Sequence, residues 1–285
     1  MTDMARRQDG RITAVVFSYN EAELLAACLE RLQEFDELLV CDMQSSDGTQ
    51  SVAREHTAAV LEVPFAPIAE TVRQRAIDAV TTEWLLFVDA DEHLPEGFLK
   101  ALQLPEFPDD VAGVRLLYDN VAFGTQLRYT LQGSAKYSLL RSDLAHYPED
   151  ERPHQLPVFS GRALDAPDSV PPILHLNFRS ADQTLEKVLR YARTDPKEGD
   201  LLGDPLKSAK ELVWALGSGS YRDGRAGLVV VSLHVFGRFY GRVLDWEQQG
   251  RPEPPLSPRN RAVMRALSFV LAVLSRSARW RRAAR

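Results

Sequence analysis

The sequence predicts an α/β protein with a mostly parallel sheet flanked by helices and a helical appendage at the C-terminal end. Two observations favour this fold class. Short apolar segments alternate with segments of helical periodicity four times in about ninety residues, a pattern typical of βαβ units joined by right-handed crossovers. The chain has 285 residues, of which 45% are hydrophobic, and this is enough to form a large buried core.

The first strand is predicted over residues 12–17, which are apolar and rich in β-branched side chains. A polar turn at 18–21 leads into a helix over 22–34, where leucines recur at helical spacing. A strand at 38–41 follows and ends in the loop 42–49, which is rich in turn and cap residues. The next predicted elements are a helix at 50–56, a strand at 58–63 and a helix at 68–80.

The fourth strand is predicted over 84–88, and its apolar run leads directly into the carboxylates of Asp89, Asp91 and Glu92. Such a run is typical of a strand buried on both faces in the middle of a parallel sheet. Clustered carboxylates repel one another and are costly to desolvate, and a divalent cation would reverse the sign of the local field. The alternative is that these acids begin a loop and cap a helix near 95–99.

The spacing of Asp89 and Asp91 predicts different roles for the two carboxylates. Residues two apart in a regular strand lie about 6.5 Å apart. Both therefore reach one ion, at ligand distances of about 2.0–2.6 Å, only if the chain turns. We expect Asp91 to bind a cation directly and Asp89 to act through water or on a ribose. Because ligands bind beyond the carboxyl ends of such strands, the loops 18–21 and 42–49 should line the same pocket.

The predicted pocket lacks the glycine-rich loops of common nucleotide-binding folds. The first strand-to-helix turn reads Ser-Tyr-Asn-Glu, without a G-x-G-x-x-G fingerprint, and no Walker-type phosphate loop occurs. The segment Gly217-Ser218-Gly219 has no predicted strand before it. Phosphates are therefore expected to be held by a metal ion and by side chains.

In the second half the pattern changes, and strands are predicted at 111–117 and 137–141. Prolines and charges dominate 145–172, which predicts an active-site loop region with little regular structure. A short apolar segment at 171–176 presents His175. Helices are predicted at 181–194 and 205–216.

Three motifs occur in order at βαβ spacing: Ser-Tyr-Asn-Glu at 18–21, Asp-x-x-Ser-x-Asp-Gly-Thr at 42–49 and Val-Asp-Ala-Asp-Glu at 88–92. Together they resemble the nucleotide-sugar site of the family-2 inverting glycosyltransferases, which have the GT-A (Rossmann-like) fold. The resemblance covers about the first half of the chain closely. The second half is similar to the branch that includes lipopolysaccharide-core β-1,4-glucosyltransferases, where a histidine follows a proline-containing loop, as His175 does.

The resemblance implies roles for individual residues. Those implied to bind the nucleotide sugar are Ser18, Tyr19, Glu21, Asp47, Arg73 and Asp89. Within this set, Tyr19 and Glu21 would contact the base. Asp47 would hold the base or the ribose, and Arg73 could face the diphosphate. The implied metal ligands are Asp91 and, as a further ligand, His175, and the implied ion is Mn²⁺ or Mg²⁺.

The implied general base departs from the family pattern. Relatives commonly have His-Glu where this chain has His154-Gln155, and a glutamine amide does not accept a proton. The acids just before this pair are Glu149, Asp150 and Glu151. We rank the catalytic candidates as Glu151, then Asp150, then His154. The alternative is that this acidic cluster is a solvated loop.

The activity implied by the resemblance is transfer of a sugar, with inversion, from a nucleotide-diphosphate sugar, with a UDP-sugar favoured. The acceptor would be lipid-linked or a glycan, as in a cell-envelope glycolipid or polysaccharide such as lipopolysaccharide. Two other classes stay open. A sugar nucleotidyltransferase would want a glycine-rich basic loop after the first strand. A non-catalytic protein that binds nucleotide sugars or lipid surfaces would need no base.

The end of the chain differs in charge from the rest. Residues 259–285 hold eight arginines and no acid, so this tail carries +8 and the remainder −14 of a net −6. Apolar residues such as Val263 and Leu267 fall on one helical face, opposite arginines, which is typical of anchors on anionic lipid. The alternative is that the tail packs on the acidic body. The net charge does not suggest a nucleic-acid partner.

We divide the chain into a GT-A catalytic domain (1–178), a helical extension (179–258) and a basic amphipathic tail helix (259–285). No apolar run reaches about 18 residues, and the first ten residues have no apolar signal core, so we predict neither a spanning helix nor a secretion signal. Two cysteines, Cys28 and Cys41, form no disulfide framework, which fits a reducing compartment. We expect a cytoplasmic protein, peripheral on the cytoplasmic face of the inner or plasma membrane.

Overall fold

The computed structural model describes residues 10–66, 69–104, 107–130, 134–148, 155–194 and 219–251, with a few isolated positions outside these ranges. The chain divides into two compact units, Met1–Arg179 and Ser180–Arg285. In the first unit the strands are β1 (Ile12–Ser18), β2 (Glu37–Asp42), β3 (Ala59–Glu62), β4 (Trp84–Asp89), β5 (Glu92–His93), β6 (Val111–Ala122), β7 (Thr125–Gln126), β8 (Ser134–Arg141), β9 (Ala145–His146), β10 (Val158–Phe159), β11 (Arg162–Asp165) and β12 (Ile173–Phe178). Its helices are α1 (Ala22–Glu30), α2 (Thr49–Glu55), α3 (Arg73–Ala79) and α4 (Phe98–Leu102), with a 3-10 turn at Ala69–Val72 before α3.

The main sheet has the order β3-β2-β1-β4-β8-β6-β12-β5, and β7 and β11 also pair with β6. Strands β1, β2, β3 and β4 run parallel to one another, whereas β8 runs antiparallel between β4 and β6. Within the described ranges, five pairings of this sheet are parallel and four are antiparallel. The predicted α/β class is confirmed. The sheet is mixed, and β4 has a parallel neighbour on one side only because β8 returns in the opposite direction.

The centre of the sheet is buried on both faces. All seven residues of β1 and the first five of β4 are buried. Because successive side chains of a strand point to opposite faces, Ala14 and Val16 pack in one cluster with α1 and α4. Val15 and Phe17 pack in a second cluster with α3. Two helical layers therefore cover the sheet.

Several predictions for individual elements differ in detail from the structure. The helix predicted over 22–34 ends at Glu30, because Arg31 N–H bonds to the Cys28 carbonyl at 3.0 Å, three residues back, and tightens the chain into turns. The region 145–172, predicted to have little regular structure, contains the short strands β9, β10 and β11. Of these, β11 is held by parallel pairing with β6.

The second unit contains α5 (Ala181–Thr194) and α6 (Gly224–Gln248), after a 3-10 turn at Ser220–Asp223. The helix α5 has the bounds predicted from the sequence. Gly237 of α6 lies so close to Val188 of α5 that a Cβ atom at that position would clash, so the two helices pack tightly through this glycine. The helix predicted at 205–216 lies outside the described residues, as does most of the tail 259–285.

The apolar composition of α6 and the turn before it bears on the membrane prediction. The segment Ser220–Gln248 has 29 residues and a mean hydropathy of 1.2 in an 18-residue window, of which 33% is buried. By length and composition alone, this helix could cross a membrane. The sequence prediction of no spanning helix relied on the lack of an uninterrupted apolar run of about 18 residues. Isolated polar residues interrupt such a run, but the mean hydropathy of the window is still 1.2.

Candidate active site

Three strands of the first unit end side by side at one edge of the sheet. In the register of β1 with its parallel neighbours, Ser18 lies beside Asp42, and Phe17 lies beside Asp89. The polar loops that follow β1, β2 and β4 therefore begin at the same level. This is the edge at which α/β sheets bind their ligands.

The loops after β1 and β2 are fixed to each other by hydrogen bonds. The Met43 N–H donates to the Ser18 carbonyl at 3.0 Å, and the Asn20 N–H donates to Ser45 Oγ at 2.9 Å. The side-chain oxygen of Asn20 in turn accepts the Ser46 N–H at 2.7 Å. Asn20 has a φ of 53°, a left-handed conformation that asparagine adopts more readily than most residues.

Asp47 joins the second loop to the start of α1. Its carboxylate accepts the Ala22 N–H at 3.2 Å and the Thr49 N–H at 2.9 Å, and it also accepts the Thr49 hydroxyl. Desolvation acts to raise the pKa of Asp47, but the hydrogen bonds from Thr49 and Ala22 outweigh it and lower the pKa below its ordinary value. The ionised carboxylate therefore organises the loop, in addition to any contact with a bound ligand.

An exposed aromatic pair lies at the same edge of the sheet. The rings of Tyr19 and Phe65 have their centroids 4.5 Å apart, and the two side chains are 39% and 49% exposed. Exposed aromatic faces of this kind are suited to stacking on a planar base. Phe65 comes from the segment after β3, which we did not assign to the pocket. The available signal was the position of that segment at the carboxyl end of a neighbouring parallel strand.

Glu92 closes the turn that carries Asp89 and Asp91. Its Oε2 accepts the Asp89 N–H at 3.1 Å, and its side chain is only 2% exposed. On β8, Lys136 places its Nζ 2.6 Å from Glu92 Oε1 and 3.4 Å from Asp89 Oδ2. Lys136 therefore neutralises part of the negative charge of these carboxylates. The sequence analysis attributed this neutralisation to a bound cation alone.

Lys136 and Asp89 stabilise each other's charge, whereas burial raises the pKa of Glu92 above its ordinary value although Lys136 acts to lower it. Burial acts to lower the pKa of Lys136, but Glu92 and Asp89 outweigh it and hold the pKa well above its ordinary value. Burial also acts to raise the pKa of Asp89, yet Lys136, helped by Arg73, holds that pKa below its ordinary value. The lysine therefore stays protonated and Asp89 stays ionised at neutral pH.

Asp91 lies next to His175. The distance from His175 Nε2 to Asp91 Oδ1 is 3.4 Å, and the two side chains are 11% and 12% exposed. The strand β12 brings the histidine to this place, because His175 pairs with Glu92 of β5 and with Asn120 of β6. One ligand atom from each of Asp89, Asp91 and His175 lies within 4.8 Å of the others.

This set of three side chains fits a divalent cation. Carboxylates suit Mg²⁺ and Mn²⁺, and an imidazole nitrogen shifts the preference toward the transition metal. Atoms this close together can all lie at ligand distances of about 2.0–2.6 Å from one ion. The strand spacing is not an obstacle, because β4 ends at Asp89 and the chain turns before β5 begins at Glu92.

Arg73 is held in an aromatic cage beside this cluster. Its guanidinium carbon lies 5.3 Å from the ring centroid of Phe87 and 5.4 Å from that of Tyr147, and its Nη1 donates to the Tyr147 hydroxyl at 3.0 Å. The Arg73 Nε and the Ser18 Oγ are buried without a hydrogen-bond partner in the part of the chain that the structure describes. Buried polar atoms without partners are uncommon.

The sequence profile described as Glycosyl transferase family 2 matches residues 13–161, slightly more than half of the chain. The match includes both polar loops and the acidic turn. The chain belongs to glycosyl transferase family 2. This membership confirms the resemblance drawn from the three motifs, and the transferase has the predicted GT-A fold class.

Two curated relatives of this family 2 transferase match over part of their length. A TPR repeat-containing protein of Synechococcus elongatus is 42% identical over 76 residues, which cover 26% of this chain and 19% of that protein. The lipopolysaccharide core biosynthesis glycosyltransferase LpsC of Rhizobium meliloti is 25% identical over 144 residues, covering 45% of this chain and 53% of LpsC. The chain thus spans about a fifth and about half of the length of these relatives.

Solved structures similar to the transferase share little sequence with it. The mannosyltransferase PcManGT of Pyrobaculum calidifontis, in complex with GDP-Man and Mn²⁺, is 16% identical, with a TM-score of 0.42 and coverage of 92% of this chain and 80% of that one. Glucosyl-3-phosphoglycerate synthase of Mycobacterium tuberculosis, with Mn²⁺, UDP-glucose and phosphoglyceric acid, is also 16% identical. Its TM-score is 0.40, and the coverage is 65% of this chain and 78% of that one.

The structure brings some of the predicted site residues together, and others lie outside the described residues. Asp89, Asp91 and His175 meet in one cluster. Glu21 lies directly before α1, where its N–H donates to Thr49 Oγ1 at 3.3 Å. The candidates for the catalytic base, Glu151, Asp150 and His154, lie outside the described residues. Sequence reasoning missed three side chains of the site, namely Lys136, Tyr147 and Phe65.

Proposed function

We propose that this transferase moves a sugar, with inversion, from a nucleotide-diphosphate sugar to an acceptor hydroxyl, in a reaction that depends on Mn²⁺ or Mg²⁺. The observation that carries the proposal is the meeting of Asp89, Asp91 and His175 within 4.8 Å at the edge where the loops after β1 and β2 also end. A UDP-sugar is the favoured donor. An ion held there would neutralise charge that builds up on the leaving diphosphate.

The other residues of the site have chemically distinct tasks in this proposal. Tyr19 and Phe65 offer the base an aromatic surface. Arg73 directs its unpaired Nε–H to a diphosphate oxygen, and Asp89 accepts a ribose hydroxyl. The acceptor oxygen forms a bond to the anomeric carbon as the bond from that carbon to the diphosphate breaks. The proton of the acceptor passes to a base, for which Glu151 is the first candidate.

The donor can be identified by a thermal-shift panel of UDP-, GDP- and ADP-sugars, each with and without Mn²⁺ or Mg²⁺. A ligand of the folded state raises the apparent melting temperature by mass action, and we expect the largest rise with a UDP-sugar plus Mn²⁺. Release of the nucleotide diphosphate without an acceptor then separates an enzyme from a binding protein. A panel in which no nucleotide sugar raises the melting temperature would contradict the proposal.

The aromatic pair gives a separate prediction about donor affinity. We expect Tyr19→Ala to weaken binding of the preferred nucleotide about tenfold, because stacking on one aromatic ring contributes about 1–3 kcal/mol per base. The matched control is Tyr191→Ala, since Tyr191 of α5 is exposed to a similar degree, 38% against 39%. Calorimetric titration of both variants with the nucleotide diphosphate tests this. Equal affinity of the two variants for the nucleotide diphosphate would show that Tyr19 does not contact the nucleotide base.

The proposed acceptor is a lipid-linked sugar or glycan of the cell envelope. Similarity to LpsC over about half of that protein supports this choice, as does the basic tail. We propose that residues 259–285 hold the protein on the cytoplasmic face of the inner or plasma membrane, as a tail helix that follows the GT-A domain (1–178) and a helical extension (179–258). Arg261 and Arg265, which lie in this tail, are exposed.

The membrane proposal predicts that charge in the tail controls lipid binding. Each basic residue near an anionic surface contributes about 1 kcal/mol. Replacing four arginines of the full chain by glutamine should therefore lower co-sedimentation with anionic vesicles at least tenfold. The four positions are Arg261, Arg265, Arg276 and Arg279. Alkaline carbonate should release the wild-type protein from membranes, whereas retention in the pellet would mean that the Ser220–Gln248 helix spans the bilayer.

A further inference from the structure

Lys136 occupies an unusual position in the acidic cluster of the first unit. Its Nζ lies between Glu92 Oε1 at 2.6 Å and Asp89 Oδ2 at 3.4 Å, and it lies 4.6 Å from the ring centroid of Tyr118. The Tyr118 hydroxyl is engaged with Ser138 Oγ at 2.6 Å. The ammonium group is therefore fixed by two carboxylates and by an aromatic face beneath it.

The lysine carries a full positive charge beside the three side chains that fit a metal ion. Asp89 belongs both to that set and to the ion pair with Lys136. Glu92 touches the lysine and, through the Asp89 N–H, holds the turn that presents the carboxylates. A divalent cation in this place would therefore meet attraction from the carboxylates of Asp89 and Asp91 and repulsion from one ammonium group.

We propose that Lys136 is a positioning residue that limits the affinity of the site for a free divalent ion, so that the ion binds strongly only together with the donor diphosphate. The lysine reduces the net negative charge of the cluster. The negatively charged diphosphate of the nucleotide therefore meets less repulsion when it binds with the ion. The ion and the leaving nucleotide are then bound and released as a unit. This inference rests on the metal centre of the proposed function.

Two other roles for Lys136 predict different behaviour. A purely structural clamp would hold the turn in shape, and its loss would weaken ion binding because the carboxylates would lose their arrangement. A direct contact with the diphosphate would make the loss of the lysine weaken nucleotide binding without strengthening ion binding. Only an opposing charge makes the affinity for the ion rise when the lysine is neutralised.

The test is Mn²⁺ binding to the full-length protein without nucleotide, followed by electron paramagnetic resonance of the free ion. We expect Lys136→Met and Lys136→Gln to bind Mn²⁺ about tenfold more tightly than the wild type, because a nearby positive charge has been removed. We expect both variants to bind UDP about tenfold more weakly in saturating Mn²⁺. Lys136→Arg keeps the charge and should stay within about twofold of the wild type in both measurements.

The possible outcomes separate this inference from the proposed function. Unchanged or weaker Mn²⁺ binding in both neutral variants would overturn the inference alone, as would failure of both to fold, since the lysine would then be a structural requirement. Absence of Mn²⁺ binding to the wild type even in saturating UDP, with no difference from Asp91→Asn, would overturn the metal centre and this inference together. Tighter binding in the neutral variants but not in Lys136→Arg supports it.

Discussion

Replacement of Asp91 by asparagine is expected to reduce sugar transfer about 1,000-fold, because a ligand that carries charge is exchanged for a neutral one of the same shape. Lewis-acid stabilisation of a leaving diphosphate contributes several kcal/mol, and about 4 kcal/mol corresponds to that factor in rate. Asp91 is 12% exposed and lies 3.4 Å from His175 Nε2, so the effect should be local. The melting temperature without metal should stay within a few degrees of the wild type.

The measurement for Asp91→Asn is steady-state transfer over a range of Mn²⁺ concentrations, together with direct Mn²⁺ binding. The matched control is Asp165→Asn, since Asp165 is an exposed acid whose carboxylate lies 2.6 Å from Arg115 Nε, and we expect this variant to keep wild-type activity. Near wild-type, metal-dependent transfer by Asp91→Asn would show that the metal ligands have been assigned to the wrong residues.

Arg73→Met is the second change for which we expect a large effect. It should lower the rate of sugar transfer strongly and change the free energy of unfolding only slightly. Removing a charge that we propose to face the diphosphate should lower transfer about 100-fold or more. The hydrogen bond of Arg73 goes to the Tyr147 hydroxyl, whereas removing one partner of a close buried ion pair costs about 3–5 kcal/mol. The aromatic cage of Phe87 and Tyr147 would accept the methionine, so the free energy of unfolding should fall by less than it does when a close buried ion pair loses its arginine.

Arg141→Met is the control that separates these two effects. Arg141 is also a buried arginine next to an aromatic ring, at 5.6 Å from Trp84, but it lies 3.1 Å from Glu83 and 3.5 Å from Asp143. Its loss leaves these carboxylates without their cation and should cost about 3 kcal/mol of stability. Activity per folded molecule should be unchanged.

Urea unfolding and transfer assays on both arginine variants check the contrast. If Arg73→Met destabilised the protein as much as Arg141→Met and left transfer intact, then Arg73 would be part of the core. Its unpaired Nε–H would then have no role in donor binding.

The sequence alone was sufficient for the first half of the fold because the relevant signals are local. Apolar runs and helical spacing located β1, β2, β3 and β4 to within a few residues. Parallel βαβ order then places their carboxyl ends at one edge. The turn after Asp89 was only a condition for both carboxylates to reach one ion, and the structure shows it between the end of β4 and the start of β5.

The strand pairing of the second half could not be obtained in this way. β8 inserts antiparallel between β4 and β6, and β12 pairs with β6 and with β5. Nothing in the local periodicity of 134–141 or 173–178 states which strand is the neighbour. Pairing depends on the burial of whole faces and on register across long sequence separations, so only the tertiary structure shows that Lys136 and the acidic turn share one cluster.

The amino-acid sequence by itself determined the α/β class, the family and the residues that stand at the ends of the parallel strands, because these depend on short-range periodicity and on motif order. The family resemblance already implied that His175 joins Asp91, which the structure places 3.4 Å from it. Only the tertiary structure showed Lys136 between Asp89 and Glu92, and Phe65 against Tyr19. The physical reason is that charge neutralisation and ring stacking act between strands and loops brought together by sheet order, which no local pattern in the chain encodes.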